Sequence, residues 1–512
     1  MQVGRLAAMS TLRRIKRVLI ANRGEIALRI VRSLKDLGIE PIAIYSAADR
    51  LAPHVRACAL ALPVGPAPAA ESYLVPAAIL AAAHAAQADA IHPGYGFLSE
   101  NADFAEAVTD AGLLFIGPPA SAMRIMSTKT TARSAMQAVG VPVVPGSEGK
   151  LESVAAAAAA AQRMGYPIML KASAGGGGKG MRIVTCVADL AGAFRAATSE
   201  AQNAFGDGSI YLEKAILAPR HIEIQIFSDA EGKTMALGER ECSLQRRHQK
   251  VIEEAPSVLL TPSLRAAMEA VACRAATAVD YRGAGTVEFL LDGERDFYFL
   301  EMNTRLQVEH PVTEMCFGID LVAAQVQVAA GAPLPWTAST LQSRGHAIEA
   351  RIYAEDPAQN FVPSPGLVTD LALPEGPNVR VDSGIAAGLE VSRHYDPLVA
   401  KVIAWGPDRE VARRRLLRAL GETRVAGIPT NLPTLRQLLA CSPFVTGVYH
   451  TGTVAAEVAA AAAPLPAAAT ELVAMAAAIQ QLRRAQLAQP LPVTDAAAAD
   501  GWRTAAWAGQ GF

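Results

Sequence analysis

Apolar residues fall in short runs and helical stripes along most of this chain, and their order predicts its first elements. Arg17-Val-Leu-Ile-Ala21 is a short run rich in strand formers. Asn22-Arg23-Gly24-Glu25 follows, then a stripe at Ile26, Ile30, Leu34 and Leu37 that reads as a helix closed by Gly38. Pro41-Ile-Ala-Ile-Tyr45 and Ala88-Asp-Ala-Ile91 read as further strands. Strands separated by helices imply parallel β-α-β wrapping, so residues 14–126 form an open α/β unit. Ligands sit in the loops after such strands, which singles out Ile91 to Phe97; that loop carries no GxGxxG.

A second region spans residues 127–344. It opens with a helical stretch at Lys129, and the unbroken alanines from Ala155 to Ala161 read as helix on propensity. Ile168-Met-Leu-Lys171 is a strand feeding into Ala174-Gly-Gly-Gly-Gly-Lys-Gly180. Gly285 to Leu291 and Asp296 to Met302 flank Asp292-Gly293 and read as a hairpin. A third region, 345–458, mixes strands and helices. Residues 1–13 read as a loose leader, with Met9 an alternative start. Residues 459–512 read as an Ala/Pro-rich linker and tail, with an amphipathic helix from Glu471 to Gln489.

Composition narrows the class. The chain has 512 residues, 51% of them hydrophobic and 19% charged, which excludes a disordered, collagen-like or coiled-coil protein. Its 47 basic residues against 48 acidic ones leave a net charge of -1, so no field of one sign draws it to nucleic acid or an anionic membrane. Mean hydropathy is +0.22, yet no run of about 20 apolar residues occurs. The six cysteines are scattered without CxxC spacing, which argues against disulfides or zinc and for a reducing compartment, the cytoplasm.

The stretch Leu300-Glu-Met-Asn-Thr-Arg-Leu-Gln-Val-Glu309 is the most informative. Read as a strand, it places Glu301, Asn303, Arg305, Gln307 and Glu309 on one face and Leu300, Met302, Leu306 and Val308 on the other. A solvated sheet face is one reading; the alternation of carboxylate, amide and guanidinium suggests a site. Glu288 on the preceding hairpin strand lies opposite Glu301. Two carboxylates beside an amide oxygen suit Mg²⁺ or Mn²⁺, which bring phosphates. Gly175 to Gly178 offers those phosphates a backbone cradle, with Lys171, Lys129 and Lys179 adding charge. It also reads as a simple connector, and no Walker A sequence occurs. Gln245-Arg-Arg-His-Gln-Lys250 is either a surface patch or, with Arg305, a small-oxyanion site. Cys242, beside charged residues, reads as a buried structural thiol with a reactive thiol as the alternative, and no GxSxG marks a serine nucleophile.

Five of these stretches resemble biotin carboxylase: Ile20 to Ala27, His92 to Asn101, Lys171 to Met181, Arg240 to Lys250 and Glu301 to Glu314. The resemblance covers residues 14–453. It implies an ATP-grasp fold: an N-terminal open α/β domain, a nucleotide-clamping region whose mobile lid spans about 143–215, and a C-terminal mixed α+β domain. It implies ATP contacts at Lys129, Lys171, Gly177, Gly178, the hinge Glu213-Lys214-Ala215-Ile216, His221, Gln245, His248 and Leu290. It assigns Glu288, Glu301 and Asn303 to two Mg²⁺ or Mn²⁺ ions. Lys250, Arg305, Gln307 and Val308 fall to bicarbonate, Glu309 to the general base, and Tyr95 and Arg351 to the biotin ureido ring. Arg305, Glu309, Lys250 and Arg351 form the catalytic set.

Ala174 and Ala215-Ile216 depart from the family pattern. No Met-Lys-Met for biotin attachment occurs. The implied activity is therefore ATP- and bicarbonate-dependent carboxylation of biotin carried on a separate biotinyl domain. His394 to Lys401 and Gly501-Trp-Arg503 resemble acyl-CoA carboxylase α-subunits, which adds a carboxyltransferase subunit as a partner and leaves open a stand-alone chain or the front of a longer one. A homodimer is a family expectation. Another ATP-grasp carboxylate ligase and a silent nucleotide-binding scaffold are the alternatives.

Overall fold

The computed structural model describes residues 12–461 except 148, 174–180, 294, 295 and 338, and beyond them only 475, 478, 479 and 482. Most of the leader and tail, and the glycine loop with Gly177 and Gly178, lie outside the described residues.

The first sheet is parallel throughout. Its strands are β1 (Arg17–Ile20), β2 (Glu40–Ser46), β3 (Leu60–Gly65), β4 (Ala90–His92) and β5 (Leu114–Phe115), in the order β3-β2-β1-β4-β5. Ile26, Ile30 and Leu34 of helix α1 (Gly24–Asp36) are fully buried, as their spacing requires. The strand order turns between β1 and β4, and a crevice opens there beside the α1 N-terminus. β3 and β5 escaped the pattern because β3 is an edge strand interrupted by Pro63 and β5 is only 2 residues long.

Helix α2 (Lys129–Ala138) leads into a small subdomain with its own core. It holds helix α3 (Val154–Met164), an antiparallel sheet in the order β7-β6-β8, and helix α4 (Val187–Phe205). The strands are β6 (Ile168–Ala172), β7 (Arg182–Val184) and β8 (Ile210–Lys214). The alanine run does form a helix: Ala157, Ala160 and Ala161 bury one narrow stripe, and the Ser153 side chain caps it by accepting from Ala156 N at 3.2 Å.

The third sheet carries the site. It contains β9 (Arg220–Ser228), β10 (Thr234–Arg246), β11 (Gln249–Ala255), β12 (Gly283–Asp292), β13 (Asp296–Asn303), β14 (His346–Tyr353), β15 (Val379–Ser383) and β16 (Leu398–Gly406). Every pairing is antiparallel, in the order β13-β12-β9-β10-β11-β14-β16-β15. Ile222, Ile224 and Ile226 of β9 and Val287, Phe289 and Leu291 of β12 pack with Met268, Val271 and Ala275 of helix α5 (Pro262–Thr277). The other face of β9 is polar: His221, Glu223 and Gln225 alternate with those isoleucines, yet all three are buried.

Two details correct the reading of Leu300–Glu309. The strand stops at Asn303, the last residue paired to β12, and Arg305, Gln307 and Glu309 belong to an irregular segment entering helix α6 (His310–Phe317). Thr304 N donates instead to Glu100 Oε1 at 3.0 Å. A bulge also interrupts β13: Glu288 pairs with Glu301 but Phe289 with Phe299, so Leu300 is the extra residue. Leu300 therefore lines the site cavity beside Glu301 and not the opposite face.

Candidate active site

A cavity of about 980 Å³ lies between the crevice of the first sheet, the small subdomain and the polar face of the large sheet. Among the described residues, every site residue that the resemblance implies lines it except Ala215, which is buried with its N–H bonded to Pro167 O; Gly177 and Gly178 lie outside the described residues.

The base of the cavity is a lattice of buried charges. Lys250 enters from β11 just after the β10–β11 turn, whose two central residues, Arg247 and His248, have φ of 51° and 66°. These left-handed residues make the tight reversal that carries Lys250 inward. Its Nζ donates to Glu223 Oε2 at 2.5 Å, Glu288 Oε1 at 2.9 Å and Glu309 Oε1 at 2.6 Å. Burial opposes the Lys250 charge, but these carboxylates outweigh it and hold the ammonium well above its usual pKa. Arg351 of β14 donates through Nη2 to Glu309 Oε2 at 2.7 Å. Glu309 is thus gripped on both oxygens, and Lys250 and Arg351 overcome its burial and keep it ionised. A carboxylate so placed stays charged between two cations.

Glu288 and Glu301 face each other across β12 and β13. Asn303 Nδ2 and Gln307 Nε2 donate to Glu288 Oε1 at 2.9 and 2.6 Å, and His221 Nε2 lies 2.9 Å from Oε2. Burial raises the Glu301 pKa, and the neighbouring charge of Glu288 raises it further, with Lys129 opposing. A divalent cation would relieve that repulsion, and the oxygen-donor set of two carboxylates and an amide fits Mg²⁺ or Mn²⁺. Arg305 closes this side, donating to Asn303 Oδ1 and Glu100 Oε2, each at 2.9 Å.

At the other end, the Lys171 ammonium of β6 pairs with Glu213 of β8, and Arg133 donates to Glu213 Oε1 at 3.2 Å. Lys214 Nζ turns back to the carbonyls of Gly165 and Tyr166 at 3.0 and 3.2 Å. Gln245 Nε2 donates to His221 Nδ1 at 2.8 Å, which orients the ring toward Glu288. Beside the first sheet, the Tyr95 hydroxyl donates to Glu25, whose Oε1 lies 3.1 Å from Lys401 Nζ; the same ammonium donates to Val308 O at 2.8 Å. Cys242 is fully buried, and desolvation with the nearby Glu223 charge pushes its thiol well above the ordinary range, so it is no nucleophile.

Sequence reasoning missed three residues on which this lattice depends. Glu223 has one oxygen on Lys250 and the other on Arg240. Arg240, fully buried, also donates to Gln225, Thr286, Thr313 and Gln307. Asn22 Nδ2 donates to the carbonyls of Pro93 and Tyr95, both at 2.7 Å, and so shapes the loop after β4. The alternation His221-Glu223-Gln225 was the available signal for Glu223.

The chain matches three family models: "Biotin carboxylase, N-terminal domain" over residues 14–123, "Carbamoyl-phosphate synthase L chain, ATP binding domain" over 128–337, and "Biotin carboxylase C-terminal domain" over 349–456. A biotin carboxylase of a Nostoc species is 49% identical over 435 residues, covering 85% of this chain and 97% of that protein. The mitochondrial methylcrotonoyl-CoA carboxylase subunit alpha of Mus musculus is 48% identical over 438 residues, 85% of this chain but only 61% of its own length. A crystal structure titled as a biotin carboxylase–β,γ-ATP complex from Campylobacter jejuni superposes with a TM-score of 0.83 at 47% identity, covering 86% of this chain and 99% of that one. The biotin carboxylase domain dimer of Hydrogenobacter thermophilus 2-oxoglutarate carboxylase, with MgADP, ADP and bicarbonate, superposes with a TM-score of 0.82 at 43% identity, covering 87% and 98%. With its parallel first sheet, its small three-stranded subdomain and its large antiparallel sheet, the chain belongs to the biotin carboxylase family.

Proposed function

We propose that this protein carboxylates biotin carried on a separate biotinyl domain, using ATP and bicarbonate, as the first half-reaction of an acyl-CoA carboxylase. The observation that carries the reading is Glu309, gripped between Lys250 and Arg351 on the floor of the same cavity as the Glu288–Glu301 pair. Glu309 takes the proton of bicarbonate, which Lys250, Arg305, Gln307 and Val308 hold. The resulting oxyanion attacks the γ-phosphate of ATP, expelling ADP and giving carboxyphosphate. This breaks down to CO₂ and phosphate, and the phosphate removes the N1′ proton of biotin. Arg351 stabilises the enolate-like ureido oxygen against Tyr95, and N1′ then attacks CO₂.

Glu288, Glu301 and Asn303 would hold Mg²⁺ or Mn²⁺, which neutralises charge on the phosphates. Lys129, Lys171, Gly177, Gly178, the hinge Glu213 to Ile216, His221, Gln245, His248 and Leu290 receive the nucleotide. The small subdomain, about 143–215, acts as the lid that shields carboxyphosphate from water. The domain limits are 14–126, 127–344 and 345–458. The similarity to carboxylase α-subunits supports a carboxyltransferase subunit as partner, the biotin carboxylase domain dimer supports a dimer or larger complex, and the bacterial biotin carboxylase relatives, with six free cysteines, support a cytoplasmic setting.

The test is ADP release from ATP with bicarbonate and free biotin. Wild type releases ADP only when bicarbonate is present, and biotin accelerates it. Arg351→Ala still binds ATP but loses the biotin-dependent rate by about 10²–10³-fold, the usual loss for a missing oxyanion donor. Full turnover by that variant refutes the assigned role.

A further inference from the structure

Behind Arg351 lies a pair of acids that the reaction above does not use. Glu253 of β11 and Glu349 of β14 are register partners in adjacent antiparallel strands. Both are 0% exposed; neither Glu349 oxygen has a hydrogen-bond partner, and Glu253 is paired with the Arg351 guanidinium. Like charges directly opposite one another destabilise a sheet, and a buried carboxylate without a cation costs several kcal/mol. A pair kept under those conditions needs a purpose that sheet stability does not supply.

The nearby cation is Arg351. Its Nη2 lies 2.5 Å from Glu253 Oε1 and 2.7 Å from Glu309 Oε2, so one nitrogen is shared between two carboxylates. On the Glu349 side, Lys401 is already committed to Glu25 and to Val308 O. A bulge in β11, where Gln245 pairs with Lys250 but Leu244 with Ile252, brings Lys250 and Glu253 to the same group although they are three positions apart. Lys250 grips Glu309 from one side, and Glu253 pulls on the guanidinium that grips it from the other.

Resting on the functional reading above, we infer that Glu253 is a positioning residue for the reaction: its carboxylate draws Arg351 back from Glu309, leaving Glu309 free to take a proton and the guanidinium free to meet the ureido oxygen. Glu349 stands behind it as the protonated member of the pair, since burial first, and then the Glu253 charge, raise its pKa well above normal against the pull of Lys401. Burial raises Glu253 to about 7, with Arg351 opposing and Glu309 adding to the rise. The groups facing Glu253 are Arg351, Glu349 and Tyr353 from β14, Glu309 at the start of α6, Cys242 from β10 and Lys250 from its own strand. Its folded pKa is above the ordinary one, so the ionised form that draws Arg351 back is lost as pH falls through about 7.

The experiment follows biotin-dependent ADP release against pH at saturating bicarbonate, with the KM for ATP measured in parallel, for wild type, Glu253→Gln and Glu253→Asp. Wild type is expected to lose kcat on an acid limb near pH 7. Glu253→Gln is expected to lose kcat about tenfold or more, with its KM for ATP within about twofold, and to lack that limb. Glu253→Asp is expected to recover part of the rate and the limb. A wild-type profile without an ionisation near neutrality overturns the inference, whether or not the Gln variant folds. So does a Gln variant that keeps the wild-type rate or limb. Absence of any bicarbonate-dependent ADP release by wild type would instead sink the functional reading itself.

Discussion

Arg240 is the place where stability and chemistry are joined most tightly. Its guanidinium is fully buried and reaches Gln225 Oε1 at 2.6 Å, Gln307 Oε1 at 2.7 Å, Thr313 Oγ1 at 3.0 Å and Thr286 Oγ1 at 3.1 Å, besides pairing with Glu223. Arg240→Met keeps most of the volume and removes every donor. The amide oxygens of Gln225 and Gln307 are then buried without this partner, at roughly 1–3 kcal/mol each. Glu223 keeps only Lys250, at 2.5 Å. Because that second cation remains, Glu223 is not left uncompensated, and the two amides alone put the loss at roughly 2–6 kcal/mol. Thermal melting followed by circular dichroism should show a loss of several degrees. Kinetics should show a raised KM for bicarbonate, because Gln307 loses its anchor. Adding Glu223→Gln to the variant should cost much less than the sum of the two single changes, since both act on one contact. A single variant that melts with wild type, or double-variant losses that simply add, would refute the reasoning.

Three other outcomes are open to direct measurement. A Cβ added at Gly384 would sit 2.4 Å from both Glu25 N and Gly24 C, backbone that cannot swing aside; Gly384→Ala should cost about 1–3 kcal/mol and weaken biotin-dependent turnover more than ATP affinity, as read by melting and by nucleotide titration. Glu254 is buried, which alone would raise its pKa from 4.5, yet His346 and Arg409 hold it down at about 2; the stability this contributes is complete above about pH 4.5 and lost as pH falls toward 2, so the melting gap between wild type and Glu254→Gln should narrow between pH 7 and pH 3. Mn²⁺ with ADP should bind wild type more tightly than Glu301→Gln in an electron paramagnetic resonance titration, and equal affinity would remove Glu301 from the metal site.

What the sequence disclosed, and what it did not, follows a physical line. Local patterns were sufficient for α1, for the β12–β13 hairpin and for the opposition of Glu288 and Glu301, because a period of 3.6 or 2 is set by the chain itself. The end of β13 at Asn303 and the bulge at Leu300 were not legible, because both depend on which strand lies alongside and where its pairing stops. Arg240 received no role of its own from the sequence, because its place is fixed by Gln225, Thr286 and Gln307, contributed by other segments. The motif carried the residues that line the cavity, but the frame around them is tertiary.

The large sheet runs without a break from β13 to β15, although the matching family models change between its halves, one ending at residue 337 and the next beginning at 349. The carboxylates of β12 and β13 and the guanidinium of β14 thus share one hydrogen-bonded scaffold, which sets the spacing between the proposed phosphate and biotin chemistries. A fragment ending at residue 344 would lose β14, β15 and β16 and bare the whole flank of β11, where Ile252 to Ala255 now pair with β14. Such a fragment invites edge-to-edge aggregation and cannot serve as a free-standing nucleotide module. The two chemistries are inherited together or not at all.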